Sequence, residues 1–544
     1  MIAVQSQLVE KKYLILFICV ILFYALFYGP YGYDDADGGY TLALAWRLYN
    51  GELPYKDFIM VRPPLSPIFH SLFFNIIPDN FELFFDRILC YVLFALSSLF
   101  GALTIKLKFP EIAIDVYLLA LIGFVFSIVN LPPIAWHTTD GIFFASIGVY
   151  ILSKNNNVLF ITFGMFFLFL SALCKQPFYL LPVAALLYIA LLTRDIKKVL
   201  IAAIWLLLLI GFFIFTLHSL NILDSFIFQT TGSLTISDLL RAGVYTYLSM
   251  RAVYFLLPII IWVLVRKPFT VLSFRFDKKW LPYMFISLLL ISPTVIWIIN
   301  IFFKNDSFLP SYENTAIMLL IIAVLLILAN IFYDSKWITL TFLVMISWCA
   351  GISWGYQTPV LFSVPLVFSF FASANLYFDI NKVTRLAIFT LIIAFATYFV
   401  EYQKPYLNPM RSNLNYSNST LFSKMSFIKV SKETNEKYAE FSQLVQRYGT
   451  NFKTLPGMPL TNYLTNSKSP IKSDWVFNAE TLDQNQNIIA ELKNKRTIIF
   501  LEKAPLLITL SPLGERYSST VAYEIKMTWN KIDSTKYFEI YVSF

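Results

Sequence analysis

The sequence predicts an all-α polytopic membrane domain of about 13 transmembrane helices, followed by a small C-terminal α+β domain outside the membrane. Three observations carry that expectation. Of the 544 residues, 58% are hydrophobic and 14% charged, with mean hydropathy +0.66; a soluble chain of this length cannot cover its surface with so few polar groups. Apolar runs of about 17–22 residues recur, the length that crosses roughly 30 Å of hydrocarbon. Near Tyr402 the composition changes sharply, with Asn, Ser, Lys and Glu replacing Ile, Leu and Phe.

The expected spans are residues 13–27, 83–105, 112–129, 141–152, 158–173, 178–192, 199–217, 248–265, 281–301, 315–331, 337–352, 359–377 and 386–400. The first follows Lys11-Lys12 with no small-residue cleavage site, so it is expected to be retained rather than removed as a signal peptide. Residues 66–77 are apolar but short, and suit a re-entrant or interfacial piece. The domains are then 1–402, with an outer-loop region at 31–80, and 403–544. In the tail, residues 433–448 read as an amphipathic helix, and 496–503 and 536–544 as strands.

The net charge of +9 follows the positive-inside rule rather than a nucleic-acid surface. Every second loop is short and basic, carrying Lys106 and Lys108, Lys154, then Arg194, Lys197 and Lys198, and further Lys and Arg later in the chain. These loops belong in the cytoplasm, which puts residues 31–80 and the tail outside, in a multi-pass protein expected in a bacterial inner or plasma membrane. The four cysteines lie in or beside apolar runs without metal-ligand spacing. No GxxxxGK[ST] loop occurs, which excludes transport driven by a P-loop in this chain.

The longest polar interval in the first part of the chain runs from Gly32 to His70. Asp34, Asp35 and Asp37 follow the first span directly, and acids at a membrane boundary are solvated, paired or functional. Residues 40–49 read as a short amphipathic helix, 51–54 as a turn, and Arg62-Pro63-Pro64 as a stiff re-entry toward the bilayer. Asp37 suits a turn or a cap on that helix. Asp140 is either an N-cap of the fourth span or an acid of the site. Lys175 is either a snorkelling lysine or a cation facing an anion, and Arg62 is placed similarly. Arg241 and Arg251 are weaker candidates of the same kind, and Trp354 and Tyr356 suit either an interfacial belt or sugar stacking.

The order of features resembles the GT-C membrane glycosyltransferases, in the branch of protein O-mannosyltransferases, lipid A aminoarabinose transferase and RgtA/B/C/D-like enzymes. The resemblance rests on Asp34-Asp35, then Gly51-Glu52-Leu53-Pro54-Tyr55-Lys56-Asp57-Phe58, then Pro63-Pro64-Leu65. It extends to Thr139-Asp140-Gly141, Lys175-Gln176-Pro177 and Tyr356-Gln357-Thr358-Pro359, and covers about the first 400 residues.

The resemblance implies transfer of a sugar from a polyprenyl-phosphate donor to a lipid, glycan or protein acceptor on the outer side, with inversion. It places the catalytic acid at Asp34 or Asp35, with Asp140 as a second acid. It places Lys175, Arg62 and Gln176 at the donor phosphate, and Tyr55, Tyr356 and Gln357 at the substrate. Some relatives hold a divalent metal; Asp34, Asp35, Asp140 and His137 are the residues to hold one here, though no spacing is diagnostic. Two other classes remain as alternatives: a transporter or flippase of a lipid-linked sugar, and a non-catalytic assembly subunit that binds through its tail.

Overall fold

The computed structural model describes residues 2–34, 37–110, 112, 115–128, 133–231, 327, 336–352, 405, 408–503 and 518–543. The expected spans at 248–265, 281–301, 359–377 and 386–400 lie outside these, as does all but Ile327 of 315–331.

Eight of the expected spans fall on helices. They are α1 (Ile2–Phe23), α4 (Glu82–Lys108), α5 (Val116–Ile128), α6 (His137–Lys154), α7 (Val158–Ala172), α8 (Leu180–Thr193), α9 (Ile196–Ser219) and α11 (Trp337–Gly351). Lys11–Tyr28, Glu82–Lys108, Gln176–Thr193 and Ile196–Ser219 are long and apolar enough to cross a membrane. Helix α6 begins four residues before the apolar run, so polar His137 to Asp140 form its first turn. Apolar side chains such as Ile105, Leu119, Phe124, Met165 and Leu340 make a common core between the helices.

Small residues let α6 and α7 approach closely. A Cβ on Gly164 of α7 would fall 2.5 Å from Leu152 Cγ, and one on Gly148 of α6 2.8 Å from Leu168 Cγ. Without a hydrophobic driving force in lipid, such close approach supplies the packing energy. A polar thread adds to it: Tyr188 OH of α8 meets Ser153 Oγ of α6 at 2.7 Å and Thr339 Oγ1 of α11 at 3.0 Å.

The outer loop holds α2 (Asp37–Tyr49) and α3 (Leu65–Ser71), the latter running into a 3-10 turn at Leu72–Asn75. Helix α2 starts earlier than expected, with Asp37 in its first turn, where a negative charge favours the helix dipole. Gly51 ends the turn after α2 at φ +80°, a conformation glycine adopts at little cost. The short helix α10 (Leu223–Thr231) follows α9.

The tail is a mixed sheet with helices on it. Strands β3 (Phe452–Leu455) and β4 (Ile498–Glu502) pair in parallel, and β6 (Phe538–Val542) lies antiparallel between β4 and β5 (Asn530–Ser534). A separate two-stranded ribbon joins β1 (Tyr416–Ser417) to β2 (Lys429–Val430). Helix α12 (Lys432–Tyr448) is capped by Ser431, whose Oγ accepts from Thr434 N at 3.1 Å. Helices α13 (Asn485–Asn494) and α14 (Thr520–Thr528) complete it.

The tail does not stand apart from the outer loop. One apolar core contains Tyr33, Leu42 and Ala45 together with Met425, Phe441, Leu460 and Phe500. Gly32 N donates to Lys429 O at 2.9 Å, and Lys429 N to Pro30 O at 2.6 Å. Buried ions cross the same contact. Arg47 reaches Asp474 at 3.1 Å, Asp474 also takes Lys453 at 2.9 Å, and Lys424 meets Glu82 at 2.9 Å. Burial opposes the charge on Arg47, but Asp474 and Glu52 outweigh it and hold the guanidinium charged. Burial likewise opposes ionisation of Asp474, and Arg47 and Lys453 overcome it.

Removing one member of a buried pair strands the other. Lys424→Ala leaves Glu82 buried with Tyr463 OH as its remaining donor, at 2.9 Å. The expected cost is about 3–5 kcal/mol, read as a lower melting temperature of the detergent-solubilised protein and faster cleavage of the tail by protease. Lys424→Met combined with Glu82→Gln should recover most of that loss.

Candidate functional site

The last turn of α1 is a π turn, Tyr24–Tyr28, closed by stacking of the Tyr24 and Tyr28 rings at 5.0 Å. The chain then leaves the membrane helix through Gly29–Gly32, with carbonyls facing inward. Arg87 of α4 takes them: its Nη1 donates to Gly29 O at 2.8 Å and Tyr31 O at 3.4 Å, and its Nη2 to Gly32 O at 2.6 Å. That clamp sets where Asp34 emerges. Asp34 is buried, and with Tyr33, Leu83, Asp86, Arg87 and Ile134 it lines a cavity of about 10 Å³. Asp35 lies outside the described residues.

Asp86 is tied to a second acid through a histidine. His70 of α3 places Nδ1 2.6 Å from Asp86 Oδ1 and Nε2 3.2 Å from Asp140 Oδ2, and Ser66 Oγ donates to the same Asp140 oxygen. Burial disfavours the imidazolium, but Asp86 and Asp140 outweigh burial and push His70 up to about 10. Asp140 is therefore not an N-cap of α6; that position is Trp136, which makes no side-chain cap. The carboxylate anchors α3 to the membrane helices instead.

Lys175 is buried at 6% exposure and does not snorkel. Its Nζ donates to Thr138 Oγ1 at 2.7 Å, which sets the ammonium on the first turn of α6, two residues before Asp140. Next to it, His137 Nδ1 meets Thr41 Oγ1 at 3.0 Å, and His137 Nε2 is buried without a partner.

Three expected ligand residues are engaged elsewhere. Arg62 turns its fork to Glu480 of the tail at 3.0 and 3.3 Å, and lies 4.8 Å over the Tyr40 ring. Tyr40 OH donates to the same carboxylate at 3.0 Å. Gln176 Nε2 donates to Val61 O at 2.5 Å and Thr230 O at 3.2 Å. Tyr55 is buried and donates its hydroxyl to Arg62 O at 2.8 Å. These side chains brace the loop around Arg62 through bonds to protein groups. Tyr356 and Gln357 lie outside the described residues, as do Arg241, Arg251 and Trp354. Among the described residues no three His, Cys, Asp or Glu side chains are grouped to hold a metal ion. Of the expected divalent set, Asp140 gives one carboxylate oxygen to His70 and Ser66, and Asp35 lies outside the described residues.

Ser66, His70, Asp86, Arg87 and Glu480 are the site residues that sequence reasoning missed. Asp86-Arg87 carried a signal, since adjacent charges inside an apolar run mark a functional position. His70 and Glu480 carried none, because their partners are distant in sequence.

The His70 contact has a pH signature. Its folded value lies above the ordinary 6.5, so its stabilisation is complete below about 6.5 and is lost as pH rises through about 10. His70→Gln should therefore melt well below wild type near pH 7, with the gap closing by about pH 10.5. A gap independent of pH across that window would contradict the charged clamp.

No family model matches the chain, and no curated protein does. Solved structures are similar over most of its length. ArnT from Cupriavidus metallidurans in the apo state is 12% identical with TM-score 0.43, covering 98% of each chain. The Archaeoglobus fulgidus oligosaccharyltransferase in complex with Zn and sulfate is 10% identical with TM-score 0.43, covering 90% of this chain and 68% of that one. The same enzyme tethered to an acceptor peptide containing the NVT sequon is 12% identical with TM-score 0.38, covering 80% of this chain and 58% of that one.

Proposed function

We propose that this chain is a GT-C membrane glycosyltransferase, which moves a sugar from a polyprenyl-phosphate donor to an acceptor on the outer side of the membrane. The observation that carries the reading is Asp34: a carboxylate at the exit of the first span, buried in a cavity instead of dissolved in bulk water. A protein that only needed to end a helix there gains nothing from desolvating an acid, whereas a general base does.

The parts suit an inverting displacement. The acceptor O–H gives its proton to Asp34 as its oxygen bonds the anomeric carbon. The bond from that carbon to the phosphate oxygen breaks, and the electron pair leaves on polyprenyl phosphate. Attack opposite the departing phosphate inverts the centre. Lys175 supplies the cation for the leaving phosphate, since a buried ammonium stabilises developing negative charge more strongly than an exposed one. Asp35 remains a second candidate for the base, and Tyr356 and Gln357 remain candidates for the sugar. The apolar tail of the donor lies in the bilayer beside the spans.

Transfer of labelled sugar in membranes tests this. Asp34→Asn should cost about a hundredfold in turnover, or ~3 kcal/mol of transition-state stabilisation. Lys175→Ala should weaken donor use while leaving the folded protein intact. Normal turnover in Asp34→Asn, Asp35→Asn and the double variant together would remove the enzyme reading.

A further inference from the structure

The cavity beside Asp34 has a shape and a hydrogen-bonding demand that narrow what enters it. Its volume of about 10 Å³ admits one oxygen-sized group and no more. Its wall carries two carboxylates, Asp34 and Asp86, and the guanidinium of Arg87. Arg87 spends Nη1 and Nη2 on the Gly29, Tyr31 and Gly32 carbonyls, yet its Nε–H is buried with no partner. An unused buried donor beside carboxylates calls for a group that donates and accepts at once. A hydroxyl does both, with one O–H and two lone pairs. A phosphate is too large and is repelled by two acids. A carboxamide nitrogen has its lone pair delocalised and accepts poorly. A bare cation has no lone pair to offer and leaves the Arg87 Nε–H unpaired.

We propose that this cavity is a single-oxygen subsite for the attacking hydroxyl of an alcohol acceptor. The inference rests on the transferase reading above and narrows its acceptor. The hydroxyl donates to Asp34, accepts from Arg87 Nε, and keeps its second lone pair for the anomeric carbon. The carbon that bears it sits at the mouth. Asp86 forms the facing wall, fixed from behind by His70, and offsets the charge of Arg87 so that the guanidinium does not draw Asp34 off the hydroxyl. On transfer the O–H proton passes to an Asp34 oxygen, the C–O bond forms, and the electron pair of the broken bond leaves on polyprenyl phosphate.

The test uses the full chain in lipid nanodiscs with a labelled short-chain polyprenyl-phosphate sugar, and water and methanol as competing nucleophiles. Wild type should release polyprenyl phosphate and divide the sugar between free sugar and methyl glycoside. Asp86→Asn and Arg87→Lys should each lower turnover by about tenfold or more and move the methanol-to-water product ratio by about threefold. A purely structural defect lowers both products together and leaves the ratio alone. If Arg87→Lys fails to fold because the carbonyl clamp is lost, Asp86→Asn carries the test, with its melting temperature as the check on folding. Separate arms with methyl glucoside and N-acetylserine amide tell a sugar hydroxyl from a peptide hydroxyl. Transfer to N-acetylasparagine amide at the same rate overturns the subsite. So does an unchanged product ratio in both variants while wild type turns donor over, and in that case the transferase reading stands. Wild type that consumes no donor with any nucleophile takes down both.

Discussion

Arg87 is the side chain on which the arrangement turns. A helix that ends at a membrane face leaves its last carbonyls without partners, and burying them unpaired costs free energy. Here the carbonyls of the exit segment, Gly29, Tyr31 and Gly32, are taken by a guanidinium from the neighbouring span, across 55 to 58 residues of sequence. The clamp fixes the path of Gly29–Gly32, and with it the point where Asp34 leaves the first helix. The same side chain then forms part of the wall that Asp34 faces. One residue thus ends a helix, aims a carboxylate and presents a donor.

Several buried charges in this region have partners on a different element, and the tail supplies some of them. Glu480 answers Arg62, Asp474 answers Arg47, and Lys424 answers Glu82. Buried ion pairs are weak contributors to net stability, because desolvation offsets most of their attraction. Their effect is on register: each forms only when loop and tail sit in one arrangement. The Arg62 loop is held from three sides, by Glu480, by Tyr55 on the Arg62 carbonyl and by Gln176 on Val61. Such a loop keeps its shape without a ligand, as a preorganised site requires.

The membrane helices were legible because hydrocarbon thickness imposes a length and a composition on any span, and both are local properties. Residues 83–105 and 199–217 came out as Glu82–Lys108 and Ile196–Ser219 for that reason. Asp34 and Lys175 stood out in the sequence as polar groups at span boundaries, and both side chains are buried. Arg62, Gln176 and Tyr55 stood out equally, and their engagement by Glu480, Val61 and Arg62 O was hidden, since those partners are set by tertiary structure. In the tail, α12 was readable from its period, whereas β3 and β5 are short and gain their identity only by pairing with β4 and β6.

Electrostatics also separates the two ends of the proposed reaction. The cavity wall carries two carboxylates, Asp34 and Asp86, against one guanidinium, Arg87. A phosphate brought against that wall would lose more to repulsion than Arg87 returns, because its guanidinium is already committed to carbonyls. The proposed donor phosphate is better served by Lys175, whose ammonium is held on Thr138 in the first turn of α6. The neutral hydroxyl belongs at the negative wall, where giving up a proton lowers the charge of the cavity. In the proposed reaction, negative charge moves from the acid side, which sheds it on protonation, to the lysine side.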